Sequence, residues 1–155
     1  MGSSVLFVCL GNICRSPLAE AAFRAEAERI GLDVEIDSAG TGDWHIGHPP
    51  DHRAAAVAQR NGVDISSLRA RQVGPEDFRR FDHVIALDAQ NLSDLERMRP
   101  EDGKAQLSLL LDNVEGKEGQ AVADPYYGEA AHFDQTWLEV VEGAKALARK
   151  IADAG

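Results

Sequence analysis

Cysteine is scarce in this chain. There are two in 155 residues, Cys9 and Cys14. So few thiols exclude the disulfide framework of a small secreted domain. They also leave too few ligands for a zinc site of Cys and His, and no His pair stands at matching helical spacing. No metal and no cofactor are expected. Long apolar runs are missing too, so nothing approaches the roughly 18 consecutive apolar residues of a membrane-spanning helix. The N-terminal stretch carries neither a basic lead nor a cleavable apolar segment, and the expected location is the cytoplasm. Positive charge is short: 16 Lys and Arg face 26 Asp and Glu, a net charge of -10. That balance argues against a nucleic-acid partner or an anionic membrane surface. Any anion site must therefore be local, built from a few oriented groups. The Gly-Lys-Ser/Thr of a nucleoside-triphosphate loop is absent. Gly40, Gly42 and Gly47 miss the dinucleotide fingerprint, because the third glycine is misplaced and Pro49 follows.

What is present is an ordinary globular composition, 44% hydrophobic, sufficient for one domain over residues 1–155 with its own core. Val5 to Val8 is short and apolar and reads as a buried parallel strand. Ser16 and Pro17 suit the cap and first position of a helix that Gly31 ends. Val34 to Asp37 reads as a second strand. Pro49 and Pro50 open a helix that stops near Asn61-Gly62. Phe81 to Leu87 reads as a third strand, followed by a helix with Leu92, Leu95 and Met98. Leu107 to Leu111 is a candidate fourth strand, and residues 112–128 form a long loop. Phe133, Trp137, Val140, Val141, Ala144, Leu147 and Ile151 share one face of a last helix. Strands alternating with helices predict an α/β layer with a parallel sheet. In such folds ligands bind beyond the carboxyl ends of the strands, where residues 9–16 fall.

That turn runs Cys9-Leu10-Gly11-Asn12-Ile13-Cys14-Arg15-Ser16. A loop between a strand and a helix N-terminus turns backbone N–H groups inward, and the helix dipole favours an anion there. Gly11 is expected to take a backbone angle strained for other residues. Arg15 can hold two phosphate oxygens at once. The same field favours the thiolate form of Cys9. A thiolate beneath an oriented phosphate is placed for in-line attack, giving a phosphocysteine. Ser16 either donates a hydrogen bond to that sulfur or caps the helix. Thiolate displacement also needs a carboxylic acid on the leaving-group side. Sequence pattern alone does not choose it from 26 acids. Asp124, which opens Asp-Pro-Tyr-Tyr in the long loop, is a candidate.

Residues 9–17, ending in Ser16-Pro17, resemble the signature of the low-molecular-weight protein tyrosine phosphatases. The resemblance continues through Ser38-Ala39-Gly40-Thr41 and Asp43-Trp44, then Ala70-Arg71-Gln72, Asp88 with Asn91-Leu92, and Asp124-Pro125-Tyr126-Tyr127-Gly128. It implies a three-layer α/β/α sandwich on a four-stranded parallel, Rossmann-like sheet. It implies hydrolysis of phosphotyrosine in proteins, with Cys9 as nucleophile, Arg15 and the loop from Leu10 to Cys14 with Ser16 binding the phosphoryl group, and Asp124 as acid and then base. A bound phosphate dianion would help that carboxyl stay protonated. Trp44, Tyr126 and Tyr127 become walls of a slot for a phenyl ring. His45, His48 and His52 are expected to face solvent or substrate. Asn12, with Ser16 and Asp88, becomes a network that holds the loop's shape; several members carry a histidine of that network near the position where this chain has Ser67.

Cys14 is not needed for displacement at phosphorus. The resemblance gives it a redox role, capturing oxidised Cys9 as a disulfide before overoxidation. The expected partner is a phosphotyrosine protein, with a tyrosine kinase as a candidate, and the expected state is a monomer or weak dimer. Three rivals share the loop. An arsenate reductase needs further thiols outside the loop, and this chain has none. A protein arginine phosphatase carries threonine in place of Ile13 and lacks the paired tyrosines. A non-catalytic phosphate-binding module would lack Cys9, Arg15 or the acid.

Overall fold

The computed structural model describes residues 2–154, and Met1 and Gly155 lie outside it. Four strands form a parallel sheet in the order β2-β1-β3-β4: β1 (Ser3–Cys9), β2 (Val34–Gly40), β3 (His83–Ala86) and β4 (Gln106–Leu109). Val5 to Val8 are wholly buried, because β1 is central and covered on both faces. Its side chains alternate. Val5 and Phe7 join a core with α1 (Arg15–Ile30), α2 (His52–Arg60) and α5 (Ala130–Ala154). Leu6 and Val8 join another that includes Phe78 of α3 (Pro75–Arg80) and Leu95 of α4 (Ala89–Met98). The outcome is the expected three-layer sandwich. The chain leaves β1 through α1 to β2 on one side and later returns to β3 on the other. The end of β1 is therefore the switch point of the sheet, where a crevice opens.

Several boundaries differ from the sequence reading. Helix α1 begins at Arg15 with Cys14 in the capping position and no side-chain cap, so Ser16 and Pro17 lie inside its first turn. Gly31 ends the helix as expected, in the left-handed conformation at φ 71°. Strand β2 continues past Asp37 to Gly40, because Cys9 pairs with Gly40 in register. Asp51, rather than Pro49 or Pro50, starts α2, its side chain accepting a hydrogen bond from the Arg53 N–H. Phe81 is outside β3 and fills the core beside α3 and α4. Beyond Leu109 the chain turns into a 3-10 helix, Leu110–Asn113, rather than continuing as strand. Helix α3 leaves no signature in the sequence pattern, because six residues are too few to display a helical period.

Candidate active site

The Cys9 side chain emerges at the carboxyl end of β1 and is 3% exposed. The next residues turn sharply into α1. The positive φ of that turn belongs to Asn12, at 57°, and not to Gly11. Glycine at 11 serves close approach instead, since a Cβ there would stand 2.9 Å from His45 Cδ2. Gly40 has the same duty from the neighbouring strand, where a Cβ would meet the Leu10 carbonyl at 2.8 Å. Among the described residues none accepts a hydrogen bond from the backbone N–H of Gly11, Asn12, Ile13 or Cys14. Such donors at the N-terminus of a helix are the arrangement that favours an anion.

Arg15 is buried at 3% exposure. Its Nη1 donates to Asp88 Oδ2 at 2.7 Å and to the Val122 carbonyl at 3.0 Å. Its Nη2 lies 3.5 Å from Asp124 Oδ2. Burial works against the guanidinium charge, but Cys9, Asp88 and Asp124 outweigh it and hold Arg15 above its ordinary pKa. Asp88 caps α4 with its other oxygen, accepting from the Asn91 N–H at 2.7 Å. A cavity of about 400 Å³ opens over these groups, lined by Cys9, Leu10, Gly11, Ile13, Cys14, Arg15, Trp44, His45, Asp124, Tyr126 and Tyr127.

A model of the family described as low molecular weight phosphotyrosine protein phosphatase matches residues 4–154. The protein of that name from Schizosaccharomyces pombe is 41% identical over 151 residues, 96% of either chain. The crystal structure of YfkJ from Bacillus subtilis has a TM-score of 0.92 at 40% identity, covering 99% of this chain and 97% of that one. The chain belongs to the low molecular weight phosphotyrosine protein phosphatase family. It is a protein-tyrosine phosphatase, a hydrolase of phosphomonoesters. The crystal structure of DARP, a Drosophila arginine phosphatase, has a TM-score of 0.88 at 30% identity over 94% of this chain and 96% of that one. The fold alone therefore does not separate phosphotyrosine from phosphoarginine.

Behind the phosphatase's loop runs a buried chain of hydrogen bonds whose direction is fixed at one end by a carboxylate. Glu20 accepts from the Ser38 hydroxyl at 2.7 Å. Ser38 then accepts from Asn12 Nδ2 at 3.0 Å, and the second Nδ2 hydrogen goes to Ser16 Oγ at 2.7 Å. Asn12 Oδ1 takes the Arg71 N–H at 3.0 Å, which fixes the amide orientation. The Ser16 hydroxyl thus keeps its own proton. It lies 3.1 Å from Cys9 Sγ and 3.3 Å from the Ala39 carbonyl. Of the two alternatives for Ser16 the helix cap is absent, since Cys14 holds the capping position, and the hydroxyl's remaining neighbours are the sulfur and the Ala39 carbonyl.

Four expectations change. Asp88 belongs with Arg15 and not with the Asn12 network. Ser67 is exposed and outside that network, whose far end is Glu20 with Arg24 at 2.8 Å. The side chains of Asn12 and Ser16 sit behind the loop, away from the cavity. The aromatic walls are open rather than enclosing: Trp44 is 65% exposed and Tyr127 97%. His45 lines the cavity. Glu20 is not signalled in the sequence, and Ser38, though part of the resembling stretch, is given no role there. A glutamate in mid-helix carries no local signal, and its bond to Ser38 forms only once α1 packs on β2.

Proposed function

We propose that Cys9, Arg15 and Asp124 carry out phosphotyrosine hydrolysis in two displacements. The Cys9 thiolate attacks phosphorus while Asp124 gives its proton to the departing tyrosine oxygen. A water then attacks the phosphocysteine, Asp124 takes the water's proton, and phosphate leaves with the Cys9 thiolate restored. The loop N–H groups and Arg15 hold the phosphoryl oxygens throughout. The observation that carries this reading is the convergence of a buried thiol, a buried guanidinium and one carboxyl group on a single cavity, beside a loop whose four N–H groups have no acceptor among the described residues. Trp44, Tyr126 and Tyr127 receive the phenyl ring, and Asp88 keeps Arg15 oriented. The substrate is a phosphotyrosine protein, a tyrosine kinase being one candidate, met in the cytoplasm by a monomer or weak dimer. Cys14, also on the cavity wall, is the redox partner of Cys9.

Phosphoarginine is the second reading, favoured by the shared fold. Against it stand Ile13 on the cavity wall and the paired Tyr126 and Tyr127 at its rim. Turnover of phosphotyrosine, phosphoarginine and phosphoserine peptides by the wild type, Cys9→Ser and Asp124→Asn separates the readings. Phosphotyrosine should be preferred, Cys9→Ser should be inactive, and Asp124→Asn should lose about 10²- to 10³-fold. Undiminished turnover by Cys9→Ser would end the mechanism, and preference for phosphoarginine would end the substrate assignment.

A further inference from the structure

We propose that Arg53 is a positioning residue for the acid, a clasp that holds the Asp124 loop to the phosphate loop. The proposal rests on the reading of Asp124 as general acid. It starts from Asp51, whose N–H donates to the Ile13 carbonyl at 2.8 Å, so that the start of α2 is fixed to the phosphate loop. Both Asp51 carboxylate oxygens grip Arg53, from Nε at 3.0 Å and from Nη2 at 2.9 Å. The guanidinium then reaches across to a segment more than 70 positions away. Nη2 donates to the Tyr126 carbonyl at 2.9 Å and Nη1 to the Gly128 carbonyl at 3.1 Å. Its plane lies over the Phe133 ring, 4.6 Å from the centroid. Tyr126 in turn donates its own N–H to Asp124 Oδ1 at 3.1 Å. The path from Ile13 to the acid therefore runs through Asp51, Arg53 and Tyr126, with a hydrogen bond at every junction.

The loop needs such a tie. Residues 123–129 form neither helix nor strand, and their internal backbone bonding is one turn, Gly128 N–H to the Pro125 carbonyl at 2.8 Å. A local Asp51–Arg53 ion pair alone would contribute little. The two distant carbonyls give the arginine its consequence. A planar fork can hold two carboxylate oxygens and two carbonyls together, whereas a lysine ammonium cannot. An acid displaced by about an ångström loses much of its catalytic effect.

The test is kcat/KM across aryl phosphates of graded leaving-group pKa, for the wild type, Asp124→Asn, Arg53→Met, Arg53→Lys and the double variant Arg53→Met/Asp124→Asn. Phenyl phosphate, which needs protonation, should lose about tenfold in Arg53→Met. A dinitrophenyl phosphate, whose phenolate departs unaided, should lose less than about twofold. The double variant should be no slower than Asp124→Asn alone. Should Arg53→Met fail to fold, Arg53→Lys carries the same test with the same bias towards poor leaving groups. Equal losses for all leaving groups, or losses that multiply with Asp124→Asn, would overturn the clasp. A leaving-group dependence unchanged in Asp124→Asn would instead remove the acid assignment, and the clasp with it.

Discussion

Cys14 sits five positions from Cys9 and both thiols are free and buried. Burial, then the charges of Asp51 and Cys9, push the Cys14 thiol well above its ordinary pKa. It therefore stays protonated and is the poorer nucleophile of the two under the proposed mechanism. Peroxide should oxidise Cys9 first, to a sulfenic acid. The Cys14 sulfur then displaces that hydroxyl, gives up its proton, and leaves a disulfide and water. A protonated thiol attacks slowly, so the capture competes with overoxidation instead of preventing it outright. After a peroxide pulse and thiol treatment, the wild type should recover most activity, and Cys14→Ser several-fold less. Equal recovery in both would show that Cys14 is packing alone. At this scale the sequence was most readable where chemistry is carried by residue type. Cys9, Arg15 and Asp124 are found together on one cavity. It was least readable where backbone angle decides, since Asn12, not Gly11, takes the left-handed turn. An asparagine tolerates that angle and also supplies the three hydrogen bonds that glycine lacks.

Among the elements, α5 shows how packing overrides intrinsic preference. Gly143 lies in the middle of this 25-residue helix, on its buried face. Helix propensity argues for alanine there by about 1 kcal/mol. A Cβ at 143 would stand 2.5 Å from Leu110 Cγ and within 3.1 Å of both its Cδ atoms. Leu110 is fully buried at the start of the 3-10 helix and has no room to retreat. Overpacking of this kind costs roughly 1–3 kcal/mol, and here it should exceed the gain. Gly143→Ala is expected to lower the unfolding temperature by roughly 2–6 °C, and an unchanged or higher midpoint would mean that Leu110 repacks freely. The same contact explains part of what the sequence hid. The stripe from Phe133 to Ile151 was visible because its period repeats over many residues, but the small residue at 143 has meaning only beside Leu110. Strand ends were likewise hidden. Gly40 continues β2 because β1 pairs with it, and Leu110 leaves β4 to fill the core beneath α5.

At the scale of the whole molecule, the layer order and the position of the cavity followed from alternation and from the switch point of the sheet. The wiring between distant loops did not, because Glu20 with Ser38, and Arg53 with Tyr126, meet only after folding. The overall charge of -10 sets a further condition that the local site must overcome. Exposed Asp43 and Glu129 lie next in sequence to the rim segments that hold Trp44, Tyr126 and Tyr127. Arg15, in contrast, is recessed at 3% exposure. A substrate therefore meets a repulsive surface first and an attractive pocket last. Flanking residues of a phosphotyrosine peptide stay near that surface, within a Debye length of about 10 Å at 0.1 M salt. Peptides with acidic flanks should show kcat/KM values that rise several-fold as salt is raised from about 0.02 to 0.3 M, with kcat nearly constant. Peptides with basic flanks should show the opposite trend, and the two should converge at high salt. If kcat/KM for acidic peptides instead falls with salt, the field of Arg15 and the loop donors extends past the rim, and the surface charge does not govern encounter.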